Sequence, residues 1–157
     1  MEIIDVQLPD EFSALGDAHG CIMVYEAGQN LRYELSHHQS LLSNRLRSYF
    51  EKPIRFYEYQ EALKLPRLCR KRMQEVFDSC DVLLAPSAPD EAPHGLDYTG
   101  DTVLNRMWTM LHLPTLTLPS IRGANQLPVG VQLIGAYGTD DDLIGYAISL
   151  ENMLKST

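Results

Sequence analysis

The chain has 157 residues, in which 13 Lys and Arg stand against 21 Asp and Glu, so its formal net charge is −8. With 45% apolar and 22% charged residues, it can build a core, which excludes the disordered and collagen-like classes. The acidic balance argues against a nucleic-acid partner, since such binding depends on Lys and Arg neutralising phosphates. No apolar run approaches the roughly 18 residues that cross a bilayer, and the acidic start is unlike a secretory signal. We expect one domain over residues 1–157, in the cytoplasm, without a membrane partner.

The chain opens with an apolar segment that predicts a strand. The predicted strand covers residues 1–8, with apolar side chains at Ile3, Ile4, Val6 and Leu8, and it stops before Pro9, which cannot donate to a ladder. Apolar residues then recur at spacings of three and four, which predicts a helix over residues 10–35. The segment 10–79 is therefore expected to be helical after this first strand.

Two further helices are predicted before residue 80. Ser43 offers a hydroxyl that suits a helix cap, and this short helix should end before Pro53. Apolar residues keep helical phase over residues 56–79 and across Pro66. Because proline removes one hydrogen bond but does not change the phase of the pattern, we expect a kink at Pro66.

From residue 81 onward, strands alternate with helices. Short apolar runs at 82–85, 115–118 and 129–134 are typical of strands buried on both faces. Helices are predicted over residues 101–112 and from Thr139 onward. This alternation in the segment 81–157 indicates an α/β fold.

Loops and glycines at the ends of these strands are candidate positions for binding groups. Residues 88–99 form the longest predicted loop, and α/β proteins commonly bind ligands where buried strands end. Within the last strand pattern, Gly130 indicates close backbone packing and Gly135 indicates the exit turn.

A survey for reactive groups returns little. The chain has no GxSxG, SxxK, HExxH, GxxxxGK[ST] or GxGxxG motif, and its five His residues show no metal-ligand spacing. The acidic run at 140–142 fits either helix capping or cation binding. We therefore expect no metal and no cofactor.

Three cysteines are widely spaced, which fits neither a disulfide framework nor a zinc site. Cys21, Cys69 and Cys80 are expected to be reduced, packed thiols. An alternative applies to Cys69, because its neighbours Arg67, Arg70, Lys71 and Arg72 would lower its pKa and make it reactive.

Three ordered motifs of the second half resemble the end of the amidase signature family. They are DVLLAPSAP at 81–89, TGDTVLNRMWT at 99–109 and LPVGVQLIG at 127–135. The resemblance spans nearly the whole chain. It implies the C-terminal part of the amidase signature fold, an α/β arrangement with a mixed sheet flanked by helices, incomplete in this chain.

The family hydrolyses carboxylic amides at C–N bonds other than peptide bonds, with a Ser nucleophile, a second Ser at a cis peptide and a Lys. These groups lie in a Gly/Ser-rich region that this sequence does not contain. The resemblance therefore assigns no catalytic residue to the chain. Chemistry agrees, because a Ser hydroxyl is a weak nucleophile without a neighbouring base.

The resemblance instead implies a role in shaping the acyl pocket. Ser87 at the end of a strand and Asp101, Asn105 and Trp108 on the next helical stretch are the candidate substrate-binding residues. Structural roles remain open for three of them. Asp101 would be a helix cap, Asn105 would bridge the loop, and Trp108 would belong to the core.

Three hypotheses for function follow. The first is the C-terminal portion of an amidase-type hydrolase, whose partner is a small-molecule amide once the upstream region completes it, and which self-associates through exposed apolar surface when alone. The second is a non-catalytic module that binds a small molecule or a protein on the same scaffold. The third is part of a glutamine-dependent amidotransferase A subunit, ranked lower because the motif at 99–109 is nearer to the general amidases.

Overall fold

The computed structural model describes residues 2–155 of the chain. Two compact units are present: a helical unit, Asp10–Cys69, and a sheet unit made of the described parts of segments 1–9 and 70–157. The interpretation of the chain as one domain stays a prediction. Within residues 2–155, no helix combines the length and the apolar character that a membrane span requires.

The predicted strand at 1–8 is wrong for its described part, residues 2–8. These residues adopt no regular structure, and Ile3 is 79% exposed. A strand needs a neighbour to take its hydrogen bonds. The strand pairings of the described residues do not include this segment.

The predicted helix over 10–35 is present in three pieces. A 3-10 helix spans Asp10–Ala14, α1 spans Leu15–Asn30 and α2 spans Arg32–His37. The helical path is interrupted at Leu31, whose backbone N–H still donates to the carbonyl of Ala27. A further 3-10 turn, Gln39–Leu41, follows.

The cap predicted at Ser43 is confirmed. Helix α3 spans Asn44–Ser48, and Ser43 Oγ accepts a hydrogen bond from the Leu46 backbone N–H at 3.2 Å. This bond satisfies one of the amides that the first turn of a helix leaves without an internal partner.

The single helix over residues 56–79 with a kink at Pro66 is wrong in its form, because the segment forms two helices that are separated before the proline. Helix α4 spans Phe56–Ala62 and α5 spans Lys64–Phe77, with Leu63 between them. The proline ring clashes with the carbonyl four residues earlier, and that carbonyl belongs to Ala62, the last residue of α4. The break therefore falls three residues before the proline.

Aromatic packing joins α1 to α4 in the helical unit. The rings of Tyr25 and Tyr59 stack with centroids 4.2 Å apart. The Tyr59 hydroxyl donates to Glu26 Oε1 at 2.9 Å, and this hydrogen bond is the largest of the effects that raise the pKa of Tyr59.

The sheet unit contains three strands in the order β1-β3-β2. Strand β1 spans Leu83–Pro86, β2 spans Thr115–Arg122 and β3 spans Pro128–Ile134. The α/β class is confirmed, whereas the predicted mixed sheet differs from what is seen, since both pairings among the described strands are antiparallel. The short hairpin between β2 and β3 imposes that direction on one of the two pairings.

The prediction that all strands are buried on both faces is wrong for β1 and β2. In β1, Leu83 is buried whereas Leu84 is 57% exposed. Both strands are edge strands of the described sheet, and antiparallel sheets commonly leave one face in water. Three consecutive residues at the end of β3, Gln132, Leu133 and Ile134, are buried, so the prediction holds there.

Strand β2 runs beyond its predicted end at residue 118. It passes through Pro119, which pairs with Gly130, and a register shift lies between Pro119 and Ile121. Prolines are tolerated in edge strands and at bulges because a missing ladder donor costs little there. The strand therefore continues to Arg122 and forms a hairpin with β3.

Two helices complete the sheet unit, and both confirm the prediction. Helix α6 spans Val103–Leu111 and α7 spans Asp140–Lys155. The apolar side of α7 packs on the sheet in one cluster of buried side chains. Its members are Leu118, Leu133, Leu143 and Ala147.

Candidate functional site

The end of β1 and the first turns of α6 bring two predicted pocket residues together. The Ser87 backbone N–H donates to the Gly130 carbonyl at 3.0 Å, which continues the pairing of β1 with β3. The Asn105 side chain donates from Nδ2 to the Ser87 carbonyl at 3.1 Å. Asn105 is an exposed residue, so a polar ligand can approach this side chain.

Gly130 allows the close approach of strands at this point. A Cβ atom placed on Gly130 would lie 2.7 Å from Ser87 Oγ, 2.7 Å from Thr117 Cγ2 and 3.0 Å from the Leu118 carbonyl oxygen. Real Cβ atoms do not sit that close to three neighbours. The sequence interpretation of Gly130 as a site of close backbone packing is confirmed.

Gln132 is a structural residue of this site that the sequence interpretation missed. It lies in β3 with 1% of its surface exposed. Its Nε2 donates to the Pro86 carbonyl and to the Leu104 carbonyl, both at 2.9 Å. One side chain therefore ties β1 and α6 to the central strand, and a lone polar residue in an apolar strand pattern was the signal that would have found it.

Asp101 serves the start of α6. Its Oδ1 accepts from the Val103 backbone N–H at 2.9 Å and from Arg106 Nη2 at 3.1 Å. Arg106 also donates from Nε to Thr102 Oγ1 at 2.8 Å. The carboxylate thus satisfies one orphan amide of the helix and complements its positive end, as the capping interpretation expects. Both partners of the ion pair are half exposed, so the pair itself adds little stability.

Trp108 lies on α6 with 6% of its surface exposed. The indole therefore belongs to the packed interior of the sheet unit, one helical turn beyond Asn105. In this position it supports the helix that carries Asn105 and offers a ligand little surface of its own.

The chemistry of this cluster is recognition through hydrogen bonds. Ser87 takes part in this cluster through its backbone, whose N–H donates to the Gly130 carbonyl and whose carbonyl accepts from Asn105 Nδ2. No group of three His, Cys, Asp or Glu side chains within residues 2–155 is arranged to hold a metal ion. An exposed Asn amide is suited instead to accept from, or donate to, a polar ligand.

Comparison with known proteins decides the family. The family model described as Amidase matches residues 1–144. This chain belongs to the amidase family. The resemblance inferred from the three motifs is thereby confirmed.

Curated relatives of this amidase-family chain include A subunits of tRNA amidotransferases. The glutamyl-tRNA(Gln) amidotransferase A subunit of Neisseria meningitidis serogroup C (strain 053442) is 41% identical over 99 residues, which are 59% of this chain and 21% of that protein. The protein of the same name from Wolinella succinogenes is 34% identical over 103 residues, 61% of this chain and 23% of that protein. The match therefore spans less than a quarter of these relatives' length.

Solved structures show the fold of this amidase-family chain. A crystal structure of an amidase superposes with a TM-score of 0.86 at 24% identity, over 97% of this chain and 38% of the amidase. Fatty acid amide hydrolase superposes with a TM-score of 0.76 at 16% identity, over 98% of this chain and 34% of the hydrolase. The chain thus has the amidase signature fold over little more than a third of these structures' length.

A separate cleft of about 330 Å³ lies between α5 and the end of α6 in the sheet unit, and none of the four predicted pocket residues lines it. Arg70 on one wall donates from Nη2 to the Met110 carbonyl at 2.8 Å. The same Nη2 is 3.1 Å from His112 Nε2, which must act as the acceptor because a guanidinium only donates. His112 adopts the left-handed conformation, with a φ of 58°, that ends α6.

The cysteines of this amidase-family chain are packed thiols. Cys69 is fully buried, whereas Cys21 and Cys80 are half-buried, and all three are free. Burial raises the pKa of each thiol, and the Glu11 charge raises that of Cys69 further. A raised pKa means less thiolate at neutral pH, so the alternative of a reactive Cys69 is wrong.

Proposed function

We propose that this chain acts as the C-terminal portion of an amidase-type hydrolase, in which it completes the sheet and shapes the acyl pocket. The observation that carries the proposal is the placement of Asn105. This exposed amide is held at the end of β1 by its bond to the Ser87 carbonyl, within a fold that belongs to the amidase family. A primary amide side chain matches the donors and acceptors of a carboxamide substrate.

The four candidate pocket residues and the bond-breaking group have separate proposed roles. Ser87, Asp101, Asn105 and Trp108 shape and support the pocket, and the group that breaks the C–N bond is contributed by residues outside these 157. Asp101 acts through the start of α6, and Trp108 acts as a buried anchor of the same helix. A pocket wall of this kind contributes to substrate affinity rather than to the chemical step.

The first prediction concerns catalysis by the chain alone. The purified 157-residue chain, incubated with a chromogenic anilide and separately with benzamide, is expected to release product no faster than buffer. The physical reason is that none of its described Ser hydroxyls is paired with a Lys base, as acyl transfer by serine requires. Product release is followed by absorbance for the anilide and by an ammonia assay for benzamide. Saturable turnover that survives repurification would contradict the proposal.

The second prediction concerns amide binding. In a benzamide titration followed by ¹⁵N NMR, the side-chain amide of Asn105 and the indole N–H of Trp108, the single tryptophan, should shift together and saturate. Asn105→Ala should raise the dissociation constant for benzamide about 2- to 10-fold, which is the range expected for the loss of one or two neutral hydrogen bonds. Thr109→Ala, an exposed change on the same helix, is the matched control. Equal dissociation constants for the Asn105 variant and the control would show that Asn105 does not contribute to benzamide binding.

A second candidate function is supported by the curated relatives. The proteins 34% and 41% identical to this chain are glutamyl-tRNA(Gln) amidotransferase A subunits, which suggests glutamine as the amide. Glutamine differs from a simple carboxamide by its α-ammonium and α-carboxylate groups. In the same titration, saturable shifts at Asn105 with L-glutamine and none with hexanamide would favour this candidate. The reverse pattern would favour the general amidase.

A further inference from the structure

We propose that Glu91 is a clamp that closes the 88–99 loop onto the turn between β2 and β3, and so holds the chain segment that leaves the proposed pocket at Ser87. The carboxylate accepts from the Asn125 backbone N–H at 2.9 and 3.0 Å and from Asn125 Nδ2 at 2.8 Å. It also accepts from the Leu127 backbone N–H at 3.2 Å. The clamp therefore joins residues 34 and 36 positions apart in the sequence.

The turn that receives the carboxylate has a framework of hydrogen bonds of its own. The Gly123 backbone N–H donates to the Leu127 carbonyl at 3.0 Å, and the Gln126 backbone N–H donates to the Gly123 carbonyl at 3.1 Å. Arg122 Nη1 donates to the Gln126 carbonyl at 2.7 Å. Gln126 takes a φ of 64°, which turns the chain so that two amides converge on one point. Converging backbone N–H groups of this kind form an anion-binding concavity.

Gly123 makes room for the carboxylate. A Cβ atom on Gly123 would overlap the carboxyl group of Glu91, including Oε1. Its φ lies outside the left-handed region, so glycine serves here to leave space and not for backbone freedom, and a larger residue would have to displace the Glu91 side chain. The turn and the Glu91 side chain are therefore fitted to each other, which a chance surface contact does not require.

The clamp lies close in sequence to Ser87, so it affects how the loop leaves the proposed pocket. Ser87 is fixed by Gly130 and Asn105, and Glu91 fixes the loop again four positions later. Residues 88–99 contain no helix or strand that would otherwise define their path. The direction in which the loop leaves the pocket is thus set by these two attachments. This consequence for amide binding rests on the proposed function, whereas the clamp itself does not.

Amide hydrogen exchange on the 157-residue chain tests the clamp. In Glu91→Gln, the backbone amides of Asn125 and Leu127, which donate to the carboxylate, should exchange about tenfold faster or more, because a neutral side chain forms weaker bonds to the same donors. Exchange in the β1–β3 ladder should stay unchanged. Glu75→Gln, which removes an exposed carboxylate that pairs with Arg72 on α5, is the matched control and should behave like the unchanged chain. Equal exchange in the two variants overturns the clamp.

A second variant tests the fit of the turn. Gly123→Ala should reproduce the faster exchange of Glu91→Gln, and adding Glu91→Gln to it should bring little further change, because both act on the same contact. Additive effects, or unchanged exchange at Asn125 and Leu127 in Gly123→Ala, overturn the proposed fit. All these readouts are exchange rates, so the clamp is judged separately from the benzamide titration that tests the proposed function.

Discussion

Replacing Gln132 by Met is expected to lower the free energy of unfolding by about 2 to 4 kcal/mol, the largest of the expected changes in stability. Met has nearly the same length but carries no donor, so the Pro86 and Leu104 carbonyls both lose the Nε2 bonds of 2.9 Å. A buried group left without its partner costs more than the bond contributed. Urea unfolding followed by circular dichroism measures the change.

The same substitution should also be visible at α6. Gln132 holds this helix through Leu104, and Trp108 is buried on it, so loosening the helix should shift tryptophan emission to longer wavelength. Gln60→Met, an exposed position on α4, is the matched control and should change stability by less than about 0.5 kcal/mol. If the two variants unfold at the same urea concentration, the hydrogen bonds of Gln132 do not stabilise the fold.

Replacing Gly130 by Ala is expected to cost about 1 to 3 kcal/mol, the range for overpacking a filled site. The new methyl group would meet Ser87 Oγ and Thr117 Cγ2 at 2.7 Å and the Leu118 carbonyl oxygen at 3.0 Å. The Ser87 hydroxyl can rotate away, but the Leu118 oxygen is backbone in the neighbouring strand. Relief therefore requires β2 to separate from β3.

Gly145 provides the opposite case in the same chain. It lies inside α7, and a Cβ atom added there would meet nothing within 4 Å. Gly145→Ala should therefore raise stability by up to about 1 kcal/mol, because alanine loses less backbone entropy in a helix. Thermal unfolding of both variants gives the comparison. A higher midpoint for Gly130→Ala than for Gly145→Ala would contradict the packing described around Gly130.

Part of the candidate site was predictable from the sequence because it lies in short motifs. Ser87 and Asn105 were identified from two motifs, and the structure brings them within one hydrogen bond of each other. Gln132 was missed although it lies in the third motif. The role of a buried amide depends on the carbonyls around it, and Pro86 and Leu104 belong to other elements. Glu91 was missed for the same reason, since its partners lie 34 and 36 positions away.

The fold shows the same division between local and distant causes. The cap at Ser43 was predicted correctly because it depends on residues within one helical turn. The effect of Pro66 was predicted as a kink, whereas the structure has a break at Leu63, next to the carbonyl with which the proline ring clashes. The strand predicted at residues 1–8 was wrong over residues 2–8, where no other described strand pairs with it. The number of buried faces of β1 was misjudged because burial depends on the position of a strand in its sheet.

By itself, the sequence determined the α/β class, the family and the order of helices and strands from residue 10 onward, apart from the breaks in the helices predicted over residues 10–35 and 56–79. These properties can be predicted from apolar periodicity, helix caps, prolines and three short motifs, because each of these patterns depends on a few neighbouring residues. Only the tertiary structure decided that β3 is central, that Gln132 joins β1 to α6 and that Glu91 closes a loop onto a distant turn. Hydrogen bonds between distant segments leave no local pattern, because each partner is an ordinary polar group until the fold brings them together.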